Sequence, residues 1–406
     1  MYRKTGMTTL LLAALSCGNT WATQPDEISS LSVRGFGTLG VARSSSDHAE
    51  FARDFSQPKG IKGGQWSGRI DSILGLQANW QATSQLELVG QLVSRYRYDE
   101  SRDPEVMWAF AKWEPDARVA LRAGRIGADF MMLADSRLVG YSSLTVRPPT
   151  DFFGPLFFSH FDGADASLTW PLGKGLVRGK LFGGTISEKT PLALELWDTS
   201  GASTRGLVLD YLTGPWQLRA STAYVGYSND IQYARRLADL LRGTAVPSAS
   251  IAADALKVAG TTTRYDTLGV VYDAGPLQVQ AMLNSIRHEA GYLHNSHAGY
   301  LLAGYRLGTV TPYAGVSWWK SKLKSPSTGL ADPDLNDAFD FVMGTTVADQ
   351  TTYTLGARWS LCRNTAIKLQ WDAIRGSAAS KLPFVRSQPD WNGRTNVISA
   401  VVDFIF

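Results

Sequence analysis

Arg69-Ile70-Asp71-Ser72-Ile73-Leu74-Gly75-Leu76-Gln77-Ala78-Asn79-Trp80-Gln81, followed by Ala82-Thr83-Ser84-Gln85 and then Leu86-Glu87-Leu88-Val89-Gly90-Gln91-Leu92-Val93-Ser94-Arg95-Tyr96-Arg97-Tyr98, decides the fold of this chain. In the first run Ile70, Leu74, Leu76, Ala78 and Trp80 fall on one face, and Arg69, Asp71, Gln77, Asn79 and Gln81 on the other. A period of two with apolar and polar faces is a β-strand between unlike surroundings. The second run repeats it, with Leu86, Leu88, Leu92, Tyr96 and Tyr98 against Glu87, Gln91, Arg95 and Arg97. Thr83-Ser84 between them is short enough for a tight joint, so the two runs are antiparallel neighbours. The pattern then spreads in both directions: from Leu31 to Phe406 about sixteen such runs can be marked. Trp216, Leu218, Ala220 and Tyr224 oppose Gln217, Arg219 and Ser221, and Ile367, Leu369 and Trp371 oppose Lys368, Gln370 and Asp372. In the last run Ile398, Ala400, Val402, Phe404 and Phe406 share a face. Connectors alternate too. Joints after even-numbered strands are brief, such as Leu172-Gly173-Lys174, Gly214, Ala274-Gly275 and Arg363, and the rest are longer. That alternation distinguishes the two ends of a closed transmembrane antiparallel β-barrel, and a soluble all-β sandwich would leave it unexplained.

Composition agrees. Hydrophobic residues make up 44% of the chain, yet no stretch after the leader approaches the ~18 apolar residues of a membrane helix. Arg3 and Lys4, the apolar run Met7 to Leu15, and Thr20-Trp21-Ala22 read as a signal peptide over residues 1–22, leaving a barrel over 23–406. Cys17 leaves with the leader, and Cys362 is then the one cysteine of the mature chain, which excludes a disulfide framework. A net charge of +4, lower once Arg3 and Lys4 are removed, gives no basis for nucleic-acid binding. The 13 Trp, 15 Tyr and 16 Phe suit membrane interfaces, where aromatics gather.

Nearly the whole mature chain resembles the Gram-negative outer-membrane porin superfamily of sixteen-stranded barrels. Its words Leu121-Arg122-Ala123-Gly124-Arg125, Val139-Gly140-Tyr141, Val146-Arg147-Pro148-Pro149 and Asp162-Gly163-Ala164-Asp165 are similar to a proteobacterial porin-like group. The resemblance implies passive diffusion of small hydrophilic solutes or ions through the cell outer membrane. It implies a constriction loop folded inward after the fifth strand, here 130–160. It also implies lipid and lipopolysaccharide around the wall, barrel-assembly machinery reading the terminal strand that ends in Phe406, and a homotrimer. The short second outer loop, Asp99 to Pro104, departs from the trimeric pattern. By the same resemblance the filter would set the acids Asp135 and Asp151 on the loop against Arg34, Arg69, Arg95, Arg97 and Arg122 on the wall; Arg137 and Arg147 lie on the loop as well, a departure from a purely acidic one. Bases outnumber acids among the positions of lumen parity, which predicts a mild anion preference.

Read physically, 130–160 carries Phe130, Met131, Met132, Leu133, Leu138, Phe152, Phe153, Phe157 and Phe158, too apolar for water, so it must be covered. Packing on the inner wall and an aromatic guide for solutes both account for these side chains. The loop over 229–261 is predicted helical: Ser228-Asn229-Asp230 precedes Ile231, Ala234, Leu237, Ala238 and Leu241, with Gly243 closing, and a second helix follows Pro247. The helices either pack over the pore mouth or serve as a lid or receptor surface. No catalytic set is predicted. His48, His160, His288, His294 and His297 sit in loops or at rims and in no nucleophile elbow, and two histidines with spacing alone do not make a metal site. No cofactor is implied. Besides a general diffusion channel, two readings stay open: a channel selective for one organic solute, and a structural or receptor barrel. A plugged, energy-coupled transporter would need far more chain than Thr23 to Ser30 before the first strand.

Overall fold

The computed structural model describes residues 31–192 and 195–406; the signal peptide expected over residues 1–22 lies outside them. Sixteen strands close into one antiparallel barrel. In chain order they are β1 Leu31–Ser44, β2 Ile73–Gln81, β3 Leu86–Arg95, β4 Glu105–Trp113, β5 Val119–Gly127, β6 His160–Leu172, β7 Gly175–Ile186 and β8 Ala202–Thr213. They continue as β9 Trp216–Gly226, β10 Thr262–Ala274, β11 Leu277–His288, β12 Ser296–Tyr305, β13 Val310–Ser321, β14 Asp349–Cys362, β15 Thr365–Gly376 and β16 Arg394–Ile405. Each pairs with its chain neighbours, and β1 closes the ring on β16, from Phe36↔Ile405 to Ser44↔Val397. Closure leaves no strand edge, so every strand has a backbone hydrogen-bonding partner on both sides, which is what a sheet in hydrocarbon requires.

The two faces separate as the alternation predicts. Leu74, Leu76, Trp80, Leu88, Leu92, Leu207, Leu209, Leu268, Leu283, Leu301, Leu355, Leu369 and Ile398 project from the outer wall and are exposed. Polar side chains of opposite parity, among them Thr38, Gln91, Lys180, Asp210, Arg219, Asn284, Gln350, Lys368, Gln370, Asp372 and Asp403, are buried inside. Such an outer face suits lipid, not water. The short joints hold glycines in the left-handed region, Gly173 at φ 58°, Gly214 at 52° and Gly275 at 55°, as tight hairpins demand. At the closing seam the Phe404 and Phe406 rings stack 6.2 Å apart over the glycines of β1, Gly37 and Gly35.

The long-loop end carries an apolar core of its own. Helices α2 Gln232–Gly243 and α3 Pro247–Ala255 bury Ala234, Leu237, Leu241, Ala249, Ala252 and Ala253 in one cluster with Tyr227, Val258 and Tyr265. The expected cap at Ser228-Asn229-Asp230 differs: Asp230 instead accepts from the amides of Val258 (2.8 Å) and Ala259 (2.7 Å). The first amides of α2 go to Glu195 in the loop between β7 and β8, Gln232 at 2.5 Å and Tyr233 at 2.9 Å. A further helix unforeseen in the sequence, α4 Pro333–Gly344, is capped by Asp332, which accepts from Asp334 (3.0 Å) and Leu335 (3.2 Å). Ile70 also differs from the sequence reading: β2 begins only at Ile73, and Ile70 turns into a second cluster with Phe51, Ile61, Phe384 and Trp391. No described helix is long and apolar enough to cross a membrane.

Candidate functional site

Between β5 and β6 the chain makes a circuit of contacts with strands round the barrel. It includes one short turn of helix, α1 Thr150–Phe153. Near its start Arg219 donates to the Asp129 carbonyl (2.6 Å) and Ser221 to that of Phe130 (2.7 Å), while the Phe130 ring stacks on Phe182 at 6.1 Å. Leu138 then lies in a cluster with Phe36, Ile73, Val93 and Met107 on β1 to β4. At the seam Lys368 donates to the carbonyls of Gly140 (2.7 Å) and Thr145 (3.0 Å) and pairs with Asp403 at 2.9 Å. Thr38 donates to the same Asp403 at 2.5 Å. The backbone comes so close there that a Cβ on Gly140 would stand 2.1 Å from Asp403 Oδ1 and 2.2 Å from Thr38 Oγ1. Arg358 donates to the carbonyls of Tyr141 (2.8 Å) and Ser143 (3.1 Å), its guanidinium 4.7 Å from the Tyr141 ring. The circuit closes where Tyr265 donates to the Pro155 carbonyl at 3.0 Å.

Two of the four loop residues singled out from the sequence are fasteners. Arg147, 2% exposed, grips Asp71 with two nitrogens (2.9 and 2.6 Å), reaches Asp372 at 3.0 Å and donates to Ser399 at 2.5 Å. Asp151, fully buried, accepts from Ser317 (2.7 Å) and Gln350 (2.5 Å). Arg137 donates to the Phe158 carbonyl (3.0 Å) and Ser159 (2.8 Å), and its own carbonyl accepts from Arg53 (3.0 Å). Burial lowers its guanidinium to about 10. Asp135 is the exposed one of the four.

On the wall, Arg34, Arg95 and Arg122 have inward parity, while Arg69 and Arg97 lie beyond the strand ends in the long-loop region. The chain enters β2 only at Ile73 and leaves β3 after Arg95, so alternation does not govern Arg69 or Arg97. Arg69 donates to the Gly60 carbonyl at 3.3 Å and stacks on Tyr96; Arg97 pairs with Asp99 at 3.1 Å. Arg95 faces Asp54 (3.4 Å), Glu105 (4.0 Å) and Ser56 (2.9 Å), and Arg122 holds Asp165 along its edge and Asp129 at 3.4 Å. Burial alone would raise the Asp54 carboxyl, but Arg95 and the Ser56 hydroxyl outweigh it and hold it below its ordinary value. The carboxyl of Glu188, which accepts from the amides of Ser159 and His160, is raised by burial.

The inward bases are thus largely matched by acids. Arg34 and Arg358 are exceptions: among the described residues neither has a carboxylate within ion-pair distance. Parity marks Lys368, Asp372 and Asp403 as inward, but nothing in their spacing tells that they fasten a segment more than two hundred residues away. At the long-loop end a vestibule of about 660 Å³ opens between Asp54, Phe55, Glu195, Tyr292, Phe341, Leu382 and Arg386. A cavity of about 230 Å³ lies beside Arg95, Arg97, Glu105 and Glu188.

No family model and no curated relative matches the chain. Solved structures do. It is similar to the anion-selective porin of Comamonas acidovorans at 14% identity and a TM-score of 0.55, covering 93% of this chain and 99% of that one. The chain has the porin fold. The same fold relates it to OmpF of Salmonella typhi, solved with daunomycin, at 12% identity and a TM-score of 0.56, covering 93% and 97%. OmpT of Vibrio cholerae, solved in a trimer form, matches at 12% and 0.52, covering 93% and 100%. Each of these likenesses covers 93% of the chain.

Proposed function

We propose that this porin-fold chain is a passive channel of the Gram-negative outer membrane for small hydrophilic solutes, filtered where the segment from Phe130 to His160 lines the wall. One observation carries the reading. A polar, charged inner wall, which no lipid-facing scaffold needs, is enclosed by a leucine-rich outer wall, and the segment between β5 and β6 is hydrogen-bonded to that polar wall at Arg219, Lys368 and Asp372. In that orientation the short joints face the periplasm and the long loops the medium. Arg34 and Arg358, set against the exposed Asp135, favour a mild anion preference, because charges in a narrow aqueous gap act with little screening. Assembly as a trimer rests on the fold likeness alone.

The test is single-channel recording of the purified protein in a planar bilayer, with the reversal potential read in a salt gradient and candidate solutes added on one side. Stable steps that no solute blocks, with a reversal potential of anion sign, are expected. A silent bilayer would sink the channel reading and favour a structural or receptor barrel. The 660 Å³ vestibule favours a second reading, a channel selective for one organic solute, whose mark would be small steps blocked by that solute class.

A further inference from the structure

Beneath the vestibule lies a smaller cavity of about 70 Å³ walled mainly by rings. Phe157 meets Trp197 at 5.7 Å and Tyr227 at 5.8 Å, and Phe55 packs on Trp319 at 5.8 Å across from them. We propose that this cavity is a binding site for a small neutral aromatic molecule bearing a hydroxyl group.

The wall carries no Asp, Glu, Lys or Arg, so a charged guest would lose its hydration and meet no counter-charge. Flat apolar guests match the rings, which take offset or edge contacts at such spacings. Most polar atoms around them already have partners within the protein. Tyr227 Oη lies 2.9 Å from Thr263, Tyr265 Oη donates to Pro155, Trp197 Nε1 donates to the Asn229 carbonyl at 3.3 Å, and His288 Nδ1 is 2.6 Å from Thr263. Two lack one. Trp319, 4% exposed, has an Nε1–H with no acceptor, and His294, 5% exposed, an Nδ1 with no partner. His294 Nε2 lies 2.7 Å from the Met343 carbonyl and must donate to it, so Nδ1 of the neutral ring is an acceptor. A buried donor and a buried acceptor left unpaired are each costly, and a hydroxyl, being both donor and acceptor, can serve either. A sugar would bring several hydroxyls to a wall that offers two unpaired buried polar atoms.

Entry is open: Phe55, Leu192, Thr346 and Leu382 border both the cavity and the vestibule. This site concerns equilibrium binding and stands whether or not the lumen conducts.

The experiment is calorimetric titration of the full-length barrel, refolded in detergent, with phenol, benzene and benzoate. Phenol should bind saturably, with benzene and benzoate each about tenfold weaker or worse. Trp319→Phe keeps a ring against Phe55 but deletes the donor. It should weaken phenol roughly five- to tenfold, the loss of one neutral hydrogen bond in a dry site, and leave benzene unchanged. Should that variant fail to show the heat-modifiable migration of a folded barrel, His294→Leu replaces it with the same expectation. Phenol that does not saturate, that binds wild type and variant alike, or that is outcompeted by benzoate would overturn the proposal.

Discussion

Arg147 has a single geometry available to it, because Asp71, Asp372 and Ser399 surround its planar fork and almost no solvent reaches it. Removing one member of a buried ionic set leaves uncompensated charge, which costs about 3–5 kcal/mol. Arg147→Ala should therefore loosen the inner segment while the closed ladder survives. The readout is noisy, larger current steps beside an unchanged β-sheet circular dichroism spectrum, and Asp71→Asn added to it should recover part of the loss. Gly140→Ala should act similarly through sterics, since the new methyl would overlap the Asp403 carboxylate. Arg34→Glu tests charge without disturbing any fastening and should move the reversal potential towards cations. The companion exchange of Arg95 would not be a clean test, because Arg95 is tied to Asp54 and Glu105. At this scale the sequence was legible in part. Alternation shows that Lys368 and Asp372 point inward, but whether a charge lines water or pins a loop depends on what the loop brings to it, and no local pattern records that.

Elements were far more legible. All sixteen strands follow from period-two alternation, because each has lipid on one side and polar groups on the other. The helices were less so: α2 takes its cap from Glu195, a residue remote in sequence, and α4 went unforeseen although Asp332-Pro333 is a recognisable start. Glu195→Ala should cost the loop about 1 kcal/mol, the usual loss for a helix cap, seen as faster amide exchange at Gln232 and Tyr233. A pH effect belongs to the loop between β11 and β12. Burial, only partly offset by the Met343 carbonyl, lowers the His294 imidazole below its ordinary value. The unfolded loop therefore takes up a proton near pH 6.5 while the folded one resists. Order is complete above about pH 6.5 and is lost as pH falls towards the lowered value. Limited proteolysis of residues 289–295 at pH 5 against pH 7.5 should show it, and His294→Leu should flatten the difference.

For the molecule as a whole, the wall and the long-loop end are held by different forces. The wall holds itself by hydrogen bonds that run unbroken round the ring, whereas the long-loop end holds itself by apolar packing of α2, α3 and the Phe51 and Trp391 cluster. Replacing residues 229–261 with a short turn should leave barrel assembly intact and raise conductance, checked by heat-modifiable migration and current amplitude on the same preparation. The packed loop end also bears on how the cell surface would look to an immune system. With α2 and α3 folded onto one another, residues 232–255 are not presented as a free thread, so the epitopes there are mosaics of packed elements. Serum raised against a synthetic peptide from 229–261 should stain the denatured band on a blot and miss the living cell.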